Sequence, residues 1–404
     1  MRLLNRHVVI ALAAATGMGA ALLILSPILP ALKEFYGVSN ALLGMLVTAL
    51  VLTHALVQIP GGVVVDRLGA RWSLTLALTL AFVGSALPYL NQSYPLVLAA
   101  RVVVGLGTGL GFVASLKYVT AHSAAQRAGL TQGFFGGLIN VGCIIPFLIS
   151  PLLLSIDWRL VFLFSALLFL LPLLALLIWG QEPAGGRAET GLSLGRVLKQ
   201  GPVWALGLCH CLYFGVTMTV ATWIASYLVS LSPEGMLLAA AGLWGSLATG
   251  FSALGRFVGG FTLRLVAPQR LILGSVFMLA LAFALLVASS QVGWSVFLFV
   301  LVYLSSSLTF ASVFWLAYTL APRELAGTSI GLVNSIASLG ALLFPVAFGL
   351  ILDQTASFAW GFVFLMILSL GGLAPAGFLY RRANREAQAG PPAGASGAPF
   401  IQAP

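Results

Sequence analysis

Three cationic side chains, Arg101, Lys117 and Arg256, fall inside long apolar runs. Charges in such surroundings are costly to hold and are functional by default. All nine acidic residues, Glu34, Asp66, Asp157, Glu182, Glu189, Glu234, Glu324, Asp353 and Glu386, lie in loops or at the ends of those runs. A cavity lined by cations and lacking carboxylates would attract an anion. Each cation also has a plainer reading. Lys117 is near enough to the end of its run to extend its ammonium group to water. Arg101 either caps neighbouring carbonyls or touches a ligand. Arg256 lies about six residues, roughly 9 Å, from its helix end, a distance that its side chain can just span. An anion-facing role suits its fork of donors better. His54 and Gln58 are four residues apart and share one helix face. His54 is either a buried neutral imidazole or a pore-facing proton or substrate group.

Other arrangements exclude chemistry. His210 sits between Cys209 and Cys211, but adjacent helical residues diverge by about 100°, so three in a row do not converge on a metal. The alternating glycines from Gly105 to Gly111 lie mid-run, which rules out a phosphate-cradling loop. Trp223, Trp244 and Trp315 either pack or line a cavity. No clustered carboxylates, metal ligands or nucleophile pattern point to an enzyme or a cofactor.

The elements that must position these groups are membrane spans. Of 404 residues 60% are hydrophobic and only 7% charged, too few charges to solvate a globular surface. The net charge of +10 forms no stripe or block, so nucleic acid is not the partner implied; the bilayer is. A spanning helix needs about 20 apolar residues. Twelve runs qualify, with cores at 8–30, 41–64, 73–91, 96–120, 129–154, 160–179, 203–229, 236–262, 270–290, 294–320, 327–351 and 358–380. The fold expected is all-α, with twelve transmembrane helices in two pseudo-symmetric six-helix bundles.

Basic residues orient them. Alternate loops hold Arg2 and Arg6; Arg67 and Arg71; Arg127; Arg187, Arg196 and Lys199; Arg264 and Arg270; Arg323; and Arg381, Arg382 and Arg385. The opposite loops hold Lys33 and Arg159. Positive charge stays in the cytoplasm, so both termini are expected there, in a cell membrane. The polar stretch at 181–201 divides the chain into bundles at 1–180 and 202–385. The Ala/Gly/Pro-rich segment 386–404 reads as a disordered tail. The halves repeat at a constant offset of 198 residues: Gly61 and Gly62 align with Gly259 and Gly260, Gly129 and Gly133 with Gly327 and Gly331, and Gly142 with Gly340. Six spans per half in one orientation make a parallel repeat, the arrangement of transporters that rock around a midplane site. Its glycines let helices approach closely in lipid.

Between the second and third spans stand Gly62, Asp66, Arg67, Gly69 and Arg71. Their spacing resembles the signature loop of the major facilitator superfamily: Gly, three residues, Asp-Arg, one residue, Gly, one residue, Arg. The resemblance implies a cytoplasmic gate in which the aspartate and arginines hold the outward-facing state. The second copy is degenerate, with Arg264 in place of the aspartate. The run from Leu25 through Pro27 to Pro30, the run from Arg101 to Gly109, and Asp157-Trp158-Arg159 also look like superfamily motifs. Residues 255–260 resemble the eighth helix of the nitrate/nitrite branch, where an arginine binds the anion. That branch's second arginine would align with Gln58, which is uncharged, so the clamp is incomplete. The eleventh span, with Asn334 between Gly331 and Gly340, resembles the organic-anion branch equally.

The resemblance, together with the in-span cations and His54, implies a secondary transporter for a small anion, nitrate-like or carboxylate, with Arg256, Gln58, His54, Arg101 and Asn334 at the substrate. It further implies a monomer and a coupling proton or exchanged anion. The rival is proton-coupled efflux of hydrophobic or cationic compounds. Its usual Gly-Pro and Gly-Gly pairs are missing between Gly142 and Ser150.

Overall fold

The structure, a computed structural model, describes residues 5–25, 28–38, 40–91, 93–183, 193–231 and 238–389. Arg187, Glu189, Glu234 and most of the expected tail lie outside them, as do Ser26 and Pro27 of the first-span motif.

Every described element is a helix: a 3-10 turn at Arg323–Leu325 and fifteen α-helices. In chain order they are α1 (Arg6–Leu23), α2 (Leu29–Tyr36), α3 (Asn40–Leu68), α4 (Ala70–Leu90), α5 (Tyr94–Ala121), α6 (Ala125–Leu154), α7 (Leu160–Trp179), α8 (Ser193–Leu198), α9 (Gly201–Ser230), α10 (Leu238–Thr262), α11 (Pro268–Val287), α12 (Val292–Leu308), α13 (Phe310–Thr319), α14 (Ala326–Thr355) and α15 (Phe358–Ala389). Eleven spans among the described residues are long and apolar enough to cross a bilayer. The protein is a multi-pass membrane protein with the twelve-helix architecture. Its surface is inverted relative to a water-soluble domain: Leu148, Leu171, Ile178 and Leu343 are exposed while Gln58, Asp66 and Gln132 are fully buried. In lipid, exposed leucine is at home and backbone polar groups must be satisfied within helices.

Three boundaries differ from the sequence expectation. The first span ends at Leu23, and the chain turns before α2. The tenth span divides at Thr309, whose hydroxyl donates to the Ser306 carbonyl at 2.7 Å; side-chain hydroxyls that bond back to the helix compete with its ladder. The last helix continues to Ala389, so residues 386–389 of the expected tail are helical.

The chain forms two compact units. The first comprises Met1–Val197 and Ala321–Ser335, the second Leu198–Leu320 and Ile336–Pro404. In the first, α5 packs against α1, α3, α4 and α6, and α4 against α7. In the second, α12 packs against α9, α10 and α11, and α15 against α9 and α11. The 198-residue repeat reappears in these contacts. Gly61 of α3 lies against Leu110 of α5, and Gly259 of α10 against Leu308 of α12. One end of the first unit is closed by an apolar cluster of Ile24, Leu25, Ile28, Leu46, Val97 and Phe162. Its other end, where α3 turns into α4, is polar and carries the signature residues.

Candidate functional site

At that end α3 runs to Leu68, and Gly69 turns the chain directly into α4 with φ +95°. This left-handed conformation favours glycine. The turn leaves the Asp66 carboxylate fully buried. Lys117 Nζ donates to its Oδ1 at 2.7 Å. The Gly327 amide donates to the same oxygen at 2.8 Å and the Thr328 amide to Oδ2 at 2.7 Å. The Thr328 hydroxyl also donates to Oδ2. Both amides belong to the first turn of α14, where backbone donors have no partner within the helix and the dipole favours an anion. Gly62 permits this approach, because a Cβ there would lie 2.6 Å from the Gly327 carbonyl oxygen.

Lys117 corrects the sequence reading. It does not reach for water: it is 4% exposed and neutralises Asp66. The pair is separated by 51 positions and no periodicity in either helix announces it. Of the other signature residues, Arg67 is exposed, and the Arg71 guanidinium lies over the Trp72 ring at 4.9 Å.

Glu182, not singled out in the sequence, completes the turn. Its Oε1 accepts from the Ala70 amide at 2.8 Å and its Oε2 from the Arg71 amide at 3.0 Å. It thus caps α4, whose N-cap residue, Gly69, has no side chain to do so. A Cβ on Gly69 would lie 2.6 Å from the Glu182 carboxyl carbon. Glycine is therefore required twice, for its φ and for this contact.

The candidate substrate residues separate into groups. Gln58 and Asn334 come together, with the Asn334 amide donating to Gln58 Oε1 at 2.8 Å. Gln58 Nε2 is buried and has no partner among the described residues. A Cβ on Gly331 would overlap the Gln58 carbonyl, so α3 and α14 are in backbone contact here as well. His54 instead faces Thr108 of α5, Nδ1 to Oγ1 at 3.0 Å. Arg101 donates from Nε to the Leu46 carbonyl at 3.0 Å and from Nη2 to the Ala21 carbonyl at 3.1 Å. Of its two readings, capping is the one seen in this arrangement. Arg256 belongs to the second unit, where its guanidinium lies over the Phe310 ring at 4.6 Å. His210 also meets Phe310, at 6.2 Å between ring centroids.

The chain is 22% identical over 230 residues to the quinolone resistance protein NorA of Staphylococcus aureus, covering 55% of this chain and 59% of that one. It is 26% identical over 250 residues to the probable nitrate/nitrite antiporter NarK1 of Thermus thermophilus, covering 57% of this chain and 55% of that one. The chain thus spans a little over half the length of these curated relatives. Among solved structures it resembles the E. coli fucose:proton symporter FucP with TM-score 0.76 and 18% identity, over 93% of this chain and 99% of that one. It also resembles the human organic anion transporter MFSD10, with TM-score 0.78 and 17% identity, over 92% and 99%. These likenesses establish the fold. The Major Facilitator Superfamily sequence profile matches residues 9–345, and the chain belongs to that family.

Proposed function

We propose that the protein is a secondary transporter that moves a small anion by alternating access of two six-helix bundles, 1–180 and 202–385. Both termini would face the cytoplasm of a cell membrane, and the unit of function would be a monomer. The Asp66 clamp supports the gating half of this reading. Its contacts are polar, directional and confined to the ends of α3, α5 and α14, so they can break and reform as a set. Asp66 with Gly62, Arg67, Gly69 and Arg71 would form the cytoplasmic seal.

The anion half rests on Arg256. The Arg256 guanidinium lies over the Phe310 ring, and its fixed fork of donors suits an oxyanion. Gln58, His54 and Asn334 would supply neutral hydrogen-bonding groups to the same substrate. The nitrate/nitrite antiporter relative favours this class. The quinolone resistance relative favours a second reading, export of hydrophobic or cationic compounds. A thermal-shift panel of nitrate, nitrite, carboxylates and cationic dyes on the purified protein separates the two. Stabilisation by an anion, lost in Arg256→Gln, is the expected result; stabilisation by dyes alone favours export.

A further inference from the structure

A cluster that takes no part in the clamp joins the start of α1, the end of α5 and the segment after α7. The His7 and His122 rings stack at 4.4 Å between centroids, 26° from parallel. Tyr118 packs against both, at 6.0 Å and 4.2 Å. Its hydroxyl lies 2.9 Å from His7 Nδ1 and accepts from the Gln181 amide at 3.3 Å. His122 Nδ1 faces the Tyr118 carbonyl at 3.0 Å, and Asn5 Nδ2 donates to the His122 carbonyl at 2.8 Å. Gln181 is followed by Glu182, the cap of α4. The imidazole pair is thereby tied through one residue to the turn that positions the signature loop.

We propose that His7 and His122 form a proton-binding site that sets the strength of the Glu182 cap on α4, and with it the hold of the signature turn. The argument begins with hydrogen-bond direction. Arg6 Nε donates to His7 Nε2 at 3.5 Å. A proton added at that nitrogen meets the Arg6 donor. A proton added at Nδ1 forces the Tyr118 hydroxyl to turn from donor to acceptor. Protonation at Nε2 therefore loses the Arg6 contact, and protonation at Nδ1 reverses the Tyr118 contact. His122 uses Nδ1 toward the Tyr118 carbonyl, so its second proton goes to Nε2. Two imidazolium rings stacked at 4.4 Å repel each other.

The charged and titratable groups facing the cluster are Arg6 on α1, Tyr118 on α5, Arg71 on α4 beside Tyr118, and Glu182. Glu182 favours protonation of His122. Burial depresses the His122 imidazole below its ordinary value, against the opposing pull of the Tyr118 carbonyl and Glu182. A depressed histidine binds protons less well in this arrangement than when released, so acid works against the arrangement. Once charged, His122 also competes with the α4 amides for the single Glu182 carboxylate. Acidification should therefore free the amides of Ala70 and Arg71.

Hydrogen exchange of full-length protein in nanodiscs, corrected for the intrinsic pH dependence of exchange, tests the proposal. Between about pH 7.5 and about pH 5, where imidazoles titrate, exchange at residues 70–72 should quicken at least about fivefold, a local opening. Replacing both histidines by phenylalanine keeps two stacking rings and should abolish that step. Glu182→Gln should exchange faster at every pH with no step. If the double variant is not recovered folded, His122→Gln alone should at least halve the step. An undiminished step in either histidine variant overturns the proposal.

Discussion

The turn from α3 to α4 and the turn from α10 to α11 are copies related by the 198-residue offset, and only the first is a clamp. In the first, a single glycine joins the two helices. In the second, α10 stops at Thr262, and residues 263–267 intervene before α11. The offset pairs Asp66 with Arg264, Gly69 with Ala267, Lys117 with Trp315 and Gln58 with Arg256. Ala267 has φ −59°, and α11 begins with Pro268, which lacks the amide that an N-terminal cap would satisfy. Arg264 is exposed. Without an acid at 264 there is nothing for a buried lysine to neutralise, and a tryptophan stands where Lys117 would be. The acid, its counter-ion and the positive-φ glycine are present together in one copy and missing together in the other. The clamp is thus a linked set, and its members should fail together.

The largest effect is expected from Asp66→Asn. The substitution keeps the shape but leaves the Lys117 ammonium buried without its partner, a loss of about 3–5 kcal/mol. Thermal unfolding should show it, and Lys117→Met in the same chain should restore much of the loss by removing the stranded charge. Transport in proteoliposomes should fall in Asp66→Asn even where expression is matched. A single variant as stable and active as the wild type would break the comparison.

Next in size is Gly69→Ala, which strains a left-handed residue and pushes against Glu182. A cost of about 1–3 kcal/mol is expected. The reverse change in the second copy, Ala267→Gly, meets no such constraint and should cost under about 1 kcal/mol. Comparable losses at the two positions would mean that the turns do not differ as described.

Much of this was legible in the sequence and some was not, for physical reasons. Twelve apolar runs, the charge asymmetry and the offset of the glycines are patterns of composition and period, which a chain displays locally. The signature residues are legible because five of them fall within ten positions. A lysine near a helix end commonly reaches for water, and the partner that holds Lys117 inside lies 51 positions away. The amides that Glu182 caps are 111 and 112 positions distant, beyond any local pattern. Gln58 and Asn334 each stand out in their own spans, but no spacing rule links residues 276 apart. The break at Thr309 depends on which carbonyl a hydroxyl chooses, and a neighbouring run of serines offers several choices.

A loss of the same order is expected where α3 meets α14 at the amide pair. Asn334→Leu removes the donor to Gln58 Oε1 and leaves a fully buried amide without it. A neutral hydrogen bond lost in this way costs about 1–3 kcal/mol, because the stranded group was desolvated for a partner it no longer has. Gln58→Leu in the same chain removes the stranded amide and should recover part of that loss. If the double variant is less stable than Asn334→Leu alone, Gln58 serves some other contact, and the pair is not the unit described here.

The smallest effect is expected from installing the missing acid, Arg264→Asp. The position is exposed, lies in the segment between α10 and α11, and has no buried lysine waiting for it at 315. The helix that follows it in the chain opens with Pro268, which offers no amide, and Ala267, at φ −59°, does not make the one-residue turn seen at Gly69. A surface exchange of this kind normally changes stability by no more than about 0.5 kcal/mol. The unfolding midpoint and the transport rate should both stay close to wild type. A gain of stability would show that the acid alone is enough to make a clamp. In that case the glycine, the lysine and the receiving amides of the first copy would be accompaniments of the aspartate and not conditions for it.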